Sequence, residues 1–453
     1  MAVLEYKRWR GEPIKLKLYI EDDIVYETTT DTGGDSFIQS LSFNNNEGNM
    51  RVNPLGVATS NRVTISIFDK LDRLSPGNMN GPYFKKLVNG LKIELTIQYV
   101  ENGPWTPYGE YYTTGFSGSY TDGFAGLATI QAEDKLNTIG NLEVPELNVY
   151  ANVSIKALIK AVFNGLNITD EMYTIDPGID MSRIYGVLPG TKVRDFLNKV
   201  CQITFSRVII DREGLIRFIP ALKLASSYNE LTLGPDDISS LKNMNTDNIN
   251  YNKIRVQYLA YGQNTRAIIY RRSNVVLALG DNSLNDIVFN NQVISIENID
   301  IQYSSENNKA GIDKITYQAF QDGMILNIHV SGAAVNDSDI VIEGIVISGA
   351  DQYESIDLRN STKLGGLTFT LETDIQMTKT EAQTLCRNVR DYIEEIARSI
   401  DISGCVLTPR LYTGDKVIIK GTGTMYDGTY KVTTQSLNYS ENYSMNMTLI
   451  RLS

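Results

Sequence analysis

The period of the apolar residues is the feature that most limits how this chain of 453 residues can fold. "RVTISIF" (Arg62–Phe68) and "LKIELTIQYV" (Leu91–Val100) alternate apolar and polar side chains one by one, and so do "IKLKLYI" (Ile14–Ile20) and "GLATIQAEDKL" (Gly126–Leu136). Successive side chains of a strand point to opposite faces, so a period of two describes strands with one buried face. Turn-forming clusters separate these runs, among them "TTTDTGGD", "NNNEG" and "ENGPW". Residues 1–137 therefore predict an all-β domain, a sandwich or a small barrel. One short helix is expected at "GPYFKKLVNG", with Pro82 in its first turn and Gly90 as its stop.

From 138 to 240 the period becomes helical. Ile155, Leu158, Ile159, Val162 and Phe163 lie at i, i+3, i+4, i+7 and i+8, a helix ending near Gly165. "GTKVRDFLNKVCQITF" repeats the scheme, with Thr191 as N-cap and Val193, Phe196, Leu197 and Val200 as its stripe. "FSRVIIDREGLIRFIP" then gives two short strands about a turn at Arg212 to Gly214. This segment predicts a compact α+β module. Beyond it the chain returns to strands: "NKIRVQYLAYG" (Asn252–Gly262), a pair in "RAIIYRRSNVVLAL", then "VISIENIDIQY", "ITYQAF", "MILNIHVSG" and "DIVIEGIVISG". No fixed period recurs, which excludes a solenoid or propeller. "MTKTEAQTLCRNVRDYIEEIARS" is the longest helix, capped by Thr380 and striped by Leu385, Val389, Tyr392, Ile393, Ile396 and Ile400. About four strands close the chain, the last two forming a hairpin within "DGTYKVTTQSLNYSENYSMNMTLIRLS".

Composition removes several function classes. A formal charge of −11, from 42 Lys and Arg against 53 Asp and Glu, repels phosphate backbones. No apolar run reaches the ~20 residues that span a bilayer, so no stable membrane insertion is expected. The opening residues alternate too early and carry too much charge for a secretory signal. Cys201, Cys386 and Cys405 show no metal or redox spacing and read as buried, reduced thiols, which suits assembly in a reducing cytoplasm. His329 is the one histidine, centred in a strand pattern, so a structural role is expected and a multi-histidine zinc site is excluded. Acidic pairs such as Glu21-Asp22-Asp23 and Asp236-Asp237 read as solvated turns, although two carboxylates suffice for a glycosidase. Asn336, Asp337, Asp339 and Glu343 make a poor calcium loop, lacking its central glycine. The glycines of "KGTGTMYDG" serve turns, not a phosphate loop, and the basic opening "YKRWRGEPIKLK" reads as a strand edge. The 26 tyrosines suit wet protein–protein interfaces. No catalytic, cofactor-binding or metal residues are assigned, and no cofactor.

The order of the C-terminal motifs carries a resemblance. "GGLTFTLETDIQMTKTEAQTLCRNVRDYI", "LTPRLYTGDKVII", "DGTYKVTTQSLNY" and "YSMNMTLIRL" follow one another as in the baseplate hub proteins of contractile phage tails and phage-tail-like bacteriocins. The matching residues are Pro409, Gly414-Asp415, Gly428, Tyr430, Val432, Tyr443 to Met445, Met447 and Leu449. "PGTKVRDFLNKVCQ" followed by "VIIDREGLIRF" resembles the middle of that family, so the likeness covers mostly 186–260 and 362–453. It implies a predominantly β, α+β fold: two tail-tube-like β-barrels around a small α+β module. Where the family runs quickly from the strand like "NKIRVQYLAYG" to the helix, more than a hundred residues intervene here. The expected organisation is a first barrel over 1–137, the module over 138–240, and the start of a second barrel over 241–265. An inserted β-domain over 266–360, a strand and long helix over 361–400, and the rest of the second barrel over 401–453 follow.

The resemblance also implies a non-enzymatic homotrimer in the virion tail or baseplate, or in a bacteriocin particle, assembled in the host cytoplasm. Its pseudo-sixfold ring would join the hexameric tail tube protein to a central spike or tip. The tape-measure protein and the baseplate wedge are further contacts, and DNA passes only through the lumen. A receptor- or glycan-binding tail-tip protein is the alternative, resting on the Asn- and Tyr-rich strands of 284–360. A cell-wall hydrolase stands third.

Overall fold

The computed structural model describes residues 15–452 apart from 28–35, 47–57, 70–73, 99–103, 146–152, 185–191, 244–250, 304–310, 359–366, 406–410 and breaks of one to three residues. The fold is α+β and predominantly β. Its first unit holds β1 (Lys15–Ile20), β2 (Ile24–Glu27), β3 (Ser36–Asn46), β4 (Arg62–Asp69), β5 (Lys92–Gln98), β6 (Trp105–Thr121) and β7 (Phe124–Glu133). They pair antiparallel in the order β2-β1-β5-β6-β7-β4-β3. Alternation sets the faces: Val63, Ile65 and Ile67 are buried in one core with Ile93, Leu95 and Ile97, while Arg62 points to solvent. Two local expectations fail here. "GLATIQAEDKL" stops being strand at Glu133, because the Asp134 carboxylate accepts the Leu136 N–H and caps helix α1 (Lys135–Gly140). The described part of "GPYFKKLVNG" is a string of turns without a helix. Lys85 takes a left-handed φ of 65°, and Thr113 ties Gly90 N and Val88 O into the edge of β6.

The middle module contains β8 (Val153–Ser154), α2 (Ile155–Gly165), β9 (Tyr173–Ile175), β10 (Arg183–Ile184), α3 (Val193–Thr204), β11 (Ser206–Ile210) and β12 (Ile216–Pro220). The stripes of α2 and α3 pack on β11 and β12 in a single core, with Leu158, Phe163, Phe196, Leu197, Val208 and Phe218 buried together. Ser154 caps α2 through the Ala157 N–H at 3.1 Å. Thr191 lies outside the described residues; the N-cap of α3 is Lys192, which makes no side-chain capping bond. Gly214, at φ 78°, makes the β11–β12 turn, and β9 adds parallel to β12.

Next come β13 (Glu230–Leu233), β14 (Ile238–Asn243) and β15 (Tyr251–Ala260), then β16 (Asn264–Leu277), β17 (Gly280–Val288), β18 (Val293–Tyr303), β19 (Ile312–Ala319), β20 (Gly323–Val330) and β21 (Val335–Ile347). The last six make two three-stranded sheets, β16-β21-β18 and β17-β20-β19, around a core that includes Ile269, Leu326, Ile328, Ile340 and Ile342. "RAIIYRRSNVVLAL" is one bulged strand and not a pair, bent where Asn274 adopts a φ of 58°.

The chain ends with β22 (Asp351–Asp357), β23 (Leu367–Met377), α4 (Lys379–Ile396), β24 (Ile400–Cys405), β25 (Lys416–Ile419), β26 (Gly428–Ser440) and β27 (Asn442–Arg451). Strand β15 does not join the closing hairpin in a second barrel, as the order of motifs led one to expect. It is the centre of a separate sheet, β22-β15-β23, whose Ile254, Val256 and Leu371 are covered by Ala382, Leu385, Val389 and Tyr392 of α4. The alternating pattern is the same in either partnership, so the pattern alone could not choose. The cap of α4 is Thr378, not Thr380: its hydroxyl accepts the Glu381 N–H at 3.2 Å while Glu381 accepts the Thr378 N–H at 2.7 Å. Ile400 leaves the helical stripe and opens β24.

Candidate functional site: the seam between two curled sheets

Strand β26 belongs to two sheets at once. Its first residues, Gly428 to Lys431, pair with β25, and its later ones, Thr434 to Ser440, pair with Ser40 to Asn46 of β3. Its other edge is occupied along the whole length by β27, which in turn carries β24 and β14. The switch of partner falls at a register shift between Val432 and Thr434, where an extra residue turns the strand. The N-terminal sheet and the C-terminal sheet are thereby one 13-stranded surface, ending at β2 on one side and β14 on the other, with β13 branching from β25. Leu437 and Phe43, partners across the seam, are both buried.

The residues that carry the sequence resemblance fall on this seam. Tyr430, Val432, Met445, Met447 and Leu449 enter the shared core. Gly414 takes a φ of 97°, and a Cβ there would stand 3.0 Å from Ile219 Cδ1, so the turn needs glycine to lie against the module. Asp415 fixes that turn by accepting the N–H of Tyr412 at 2.7 Å and of Asn229 at 2.9 Å. Pro409 lies outside the described residues, and the side chains of Tyr443 and Ser444 are not described.

Polar side chains tie the seam to the module, and the sequence patterns did not single them out. Lys431 is buried, its Nζ donating to the carbonyls of Pro220 and Ala221 at 3.0 Å each. Arg212, in the β11–β12 turn, lies 4.9 Å from the centre of the Tyr108 ring and 5.4 Å from that of Tyr412, and donates to the Leu411 carbonyl. The Tyr412 hydroxyl donates to the Ile210 carbonyl and accepts the Asn61 amide at 3.3 Å. Asn61 N–H is in turn held by Asp134 at 2.8 Å. Burial pushes the Asp134 carboxyl up to about 7, against the opposing pull of backbone N–H donors from Asn61, Leu136 and Asn137. Burial likewise raises Asp415 and holds the Tyr412 phenol well above its ordinary range. A second tie joins module to α4: Arg207 donates to the Tyr392 hydroxyl at 2.5 Å and stands 5.2 Å from its ring centre. "DREG" and "TYKVTT" look like an ordinary turn and an ordinary strand; the ring contacts of Arg212 and the burial of Lys431 arise only when distant segments meet.

The residues weighed for chemistry are dispersed. His329 points outward from β20 and pairs with Asp281 at 2.6 Å. Cys201, Cys386 and Cys405 are separate, buried and free; burial raises the thiols of Cys201 and Cys405 to about 12 and that of Cys386 to about 11. Asp237 caps its own turn through Gly234 N, and 21–23 lie outside the described residues. Asp339 and Glu343, instead of cradling a cation, pair with Arg271 at 3.3 Å and Arg266 at 2.5 Å. Asp427 gathers the N–H groups of Gly421 and Thr422, which explains the glycines of "KGTGTMYDG" as turn residues. Most of the basic opening also lies outside the described residues. Among the described residues no three His, Cys, Asp or Glu side chains converge as a metal site, and no helix is long and apolar enough to cross a membrane.

No family model matches the sequence, and no curated protein matches it. Solved structures do. The tail protein from Neisseria meningitidis MC58 superposes with a TM-score of 0.54 at 8% identity, covering 97% of each chain. The prophage MuSo2 tail protein from Shewanella oneidensis gives 0.53 at 9% identity, over 97% of this chain and 98% of that one. The fold is that of phage tail proteins. Coverage of nearly the whole of both chains means that the seam, the module and the strands of 264–347 all fall within the shared architecture.

Proposed function

We propose that this chain is a non-enzymatic structural hub of a phage tail or tail-like injection particle. In this reading three copies form a pseudo-sixfold ring that joins the hexameric tail tube to the central spike or tip. The observation that supports it most is β26, which fuses two curled sheets into one surface that, among the described residues, has strand edges at both ends. Each copy then offers two tube-like units, and three copies offer six, the number a hexameric tube presents. Unpaired strand edges invite further strands, and ring closure between copies satisfies them. The acidic balance of the chain suits a lumen through which DNA passes without adhering.

The partners in this reading are two further copies, the tube protein and the spike, with the tape-measure protein and the wedge at the periphery. The setting is the tail or baseplate of a particle assembled in the host cytoplasm. Within each copy, the strands of 15–133 supply one tube-like unit and those of 230–243 and 400–451 the other, 153–220 form the module beside them, and the strands of 264–347 form a sandwich with its own core. Native mass spectrometry and negative-stain microscopy of the purified chain test the reading. A trimer with sixfold-modulated rings that cap isolated tail tubes is expected, and a monodisperse monomer that never engages tubes would sink it.

A further inference from the structure

The open face of the 13-stranded surface changes its chemistry at two corner strands, β6 and β26. The first residues of β6 pair with β5 and its later ones with β7, as β26 pairs first with β25 and then with β3. Buried side chains from both sides of the corners, among them Leu95 and Ile65, Val417 and Met447, share one core, so the open faces on the two sides point in different directions. On the β5 side the open face is charged: Lys92 lies 2.6 Å from Glu94 and 3.1 Å from Glu110. The β25 side repeats this with Lys416 and Glu230, 2.6 Å apart. Beyond the corners the charges give way. Asn438, Ser42, Thr64 and Gln131 are successive cross-strand partners over β26, β3, β4 and β7, and all four are exposed. The adjoining row of Ser40, Ser66, Thr129 and Ser117 is uncharged too. Neither row holds an apolar side chain of the kind that marks a buried protein interface. The charges that border them come in opposite pairs: Arg62 with Glu133 at 2.7 Å, and Lys242 facing Asp401 across β14 and β24. An ordinary surface is about a quarter charged, so a face of hydroxyls and amides over four strands calls for a reason.

We propose that the uncharged face of β26, β3, β4 and β7 lines the channel of the assembled ring and is the surface past which nucleic acid moves. The inference rests on the hub reading. A closed ring turns one open face of each unit toward its axis, and the two faces differ in what they offer a polyanion. Lysine and arginine gather phosphates and release their counterions, which holds nucleic acid in place. Carboxylates repel it and oppose its entry. Hydroxyls and amides exchange one hydrogen bond with water for another at little net gain, so they neither hold nor repel. The neutral face also crosses the seam, where the Ser42 hydroxyl donates to Asn438 at 2.9 Å, and it therefore runs unbroken from one unit to the other as a channel wall must.

Cys201, Cys386 and Cys405 are buried, so an introduced cysteine reports alone. Asn438→Cys and Thr64→Cys place a thiol on the uncharged face, and Glu230→Cys places one on the charged face; all three positions are exposed. Each variant of the full chain is assembled into rings, confirmed by native mass spectrometry, and offered either a small maleimide or a maleimide carried on a large globular protein. The small reagent is expected to label all three. The large one is expected to label Glu230→Cys, to lose access to Asn438→Cys and Thr64→Cys, and to regain it when the rings are dissociated. Thr64→Lys with Gln131→Lys should also convert rings that release double-stranded DNA into rings that retain it, with a retention that falls steeply as salt is raised. Rings whose Asn438→Cys and Thr64→Cys take the large reagent as readily as Glu230→Cys overturn the assignment and leave the hub reading standing. Lysines that leave DNA retention unchanged do the same, as does protection of the uncharged face from the small reagent, which would mark it as a contact surface. A chain that stays monomeric sinks the hub reading, and the assignment falls with it.

Discussion

Lys431 shows how little the alternation of a strand reveals about a residue's duty. It sits between Tyr430 and Val432 in β26, and all three are buried, because the strand is covered on one face by the shared core and on the other by the module. An ammonium taken out of water costs several kcal/mol unless its donors are met, and here two carbonyls meet them. Lys431→Ala leaves the Pro220 and Ala221 carbonyls short of a donor and opens a cavity. Denaturant unfolding should register a loss of about 2–4 kcal/mol. Asp134 offers a test by pH. Its folded-state value near 7 lies above the ordinary carboxylate range, so the folded chain binds the proton more tightly than the unfolded one. The associated stability is fully present below about pH 4 and is lost progressively as the pH rises from there to about 7. Asp134→Asn keeps an oxygen for the Leu136 N–H but cannot ionise. Melting temperatures of the native chain should therefore fall relative to those of the variant between about pH 4 and 7 and level off above that, and parallel curves would remove Asp134 from the account.

Among the elements, those shaped by local periodicity were legible and those chosen by distant partners were not. The stripe of α4 and the strands "VISIENIDIQY" and "DIVIEGIVISG" can be read directly, because burial of one face leaves a period in the sequence. α1 is hidden behind a strand pattern until Asp134 caps it, and β17, "GDNSLNDIV", carries too few apolar residues to announce itself. The seam was half legible. Its motifs can be quoted from the sequence, whereas the pairing of β26 with β3, in which Ser42 and Asn438 are 396 residues apart, has no local signature. That pairing is testable through Leu437, which is buried opposite Phe43. Leu437→Asp places a carboxylate at the junction and should cost more than about 3 kcal/mol. If the seam makes the two sheets a single cooperative unit, calorimetry will show one transition split into two. A single transition shifted downward would mean that the other contacts suffice.

At the scale of the whole molecule, the strands of 264–347 stand apart in a way that predicts how far they can be removed. They have a hydrophobic core of their own, and their first and last residues, Asn264 and Ile347, are cross-strand partners in the ladder of β16 with β21. Partners in an antiparallel ladder have Cα atoms only about 4.5–5.5 Å apart, so a turn of two to five residues can replace everything between them. What would remain keeps β15 between β22 and β23 with α4 across them, and keeps the seam intact. Replacing 265–346 with a short Asn-Gly turn should accordingly leave the melting temperature of the remainder within a few degrees, since the loss touches neither the seam nor the Arg207–Tyr392 tie. Under the hub reading the shortened chain should also still form trimeric rings in native mass spectrometry. Unfolding of the shortened chain would show that the sandwich supports the rest of the fold. A chain that stays folded but no longer trimerises would place the ring contacts on the sandwich, and the two edges at β2 and β14 would then need another purpose.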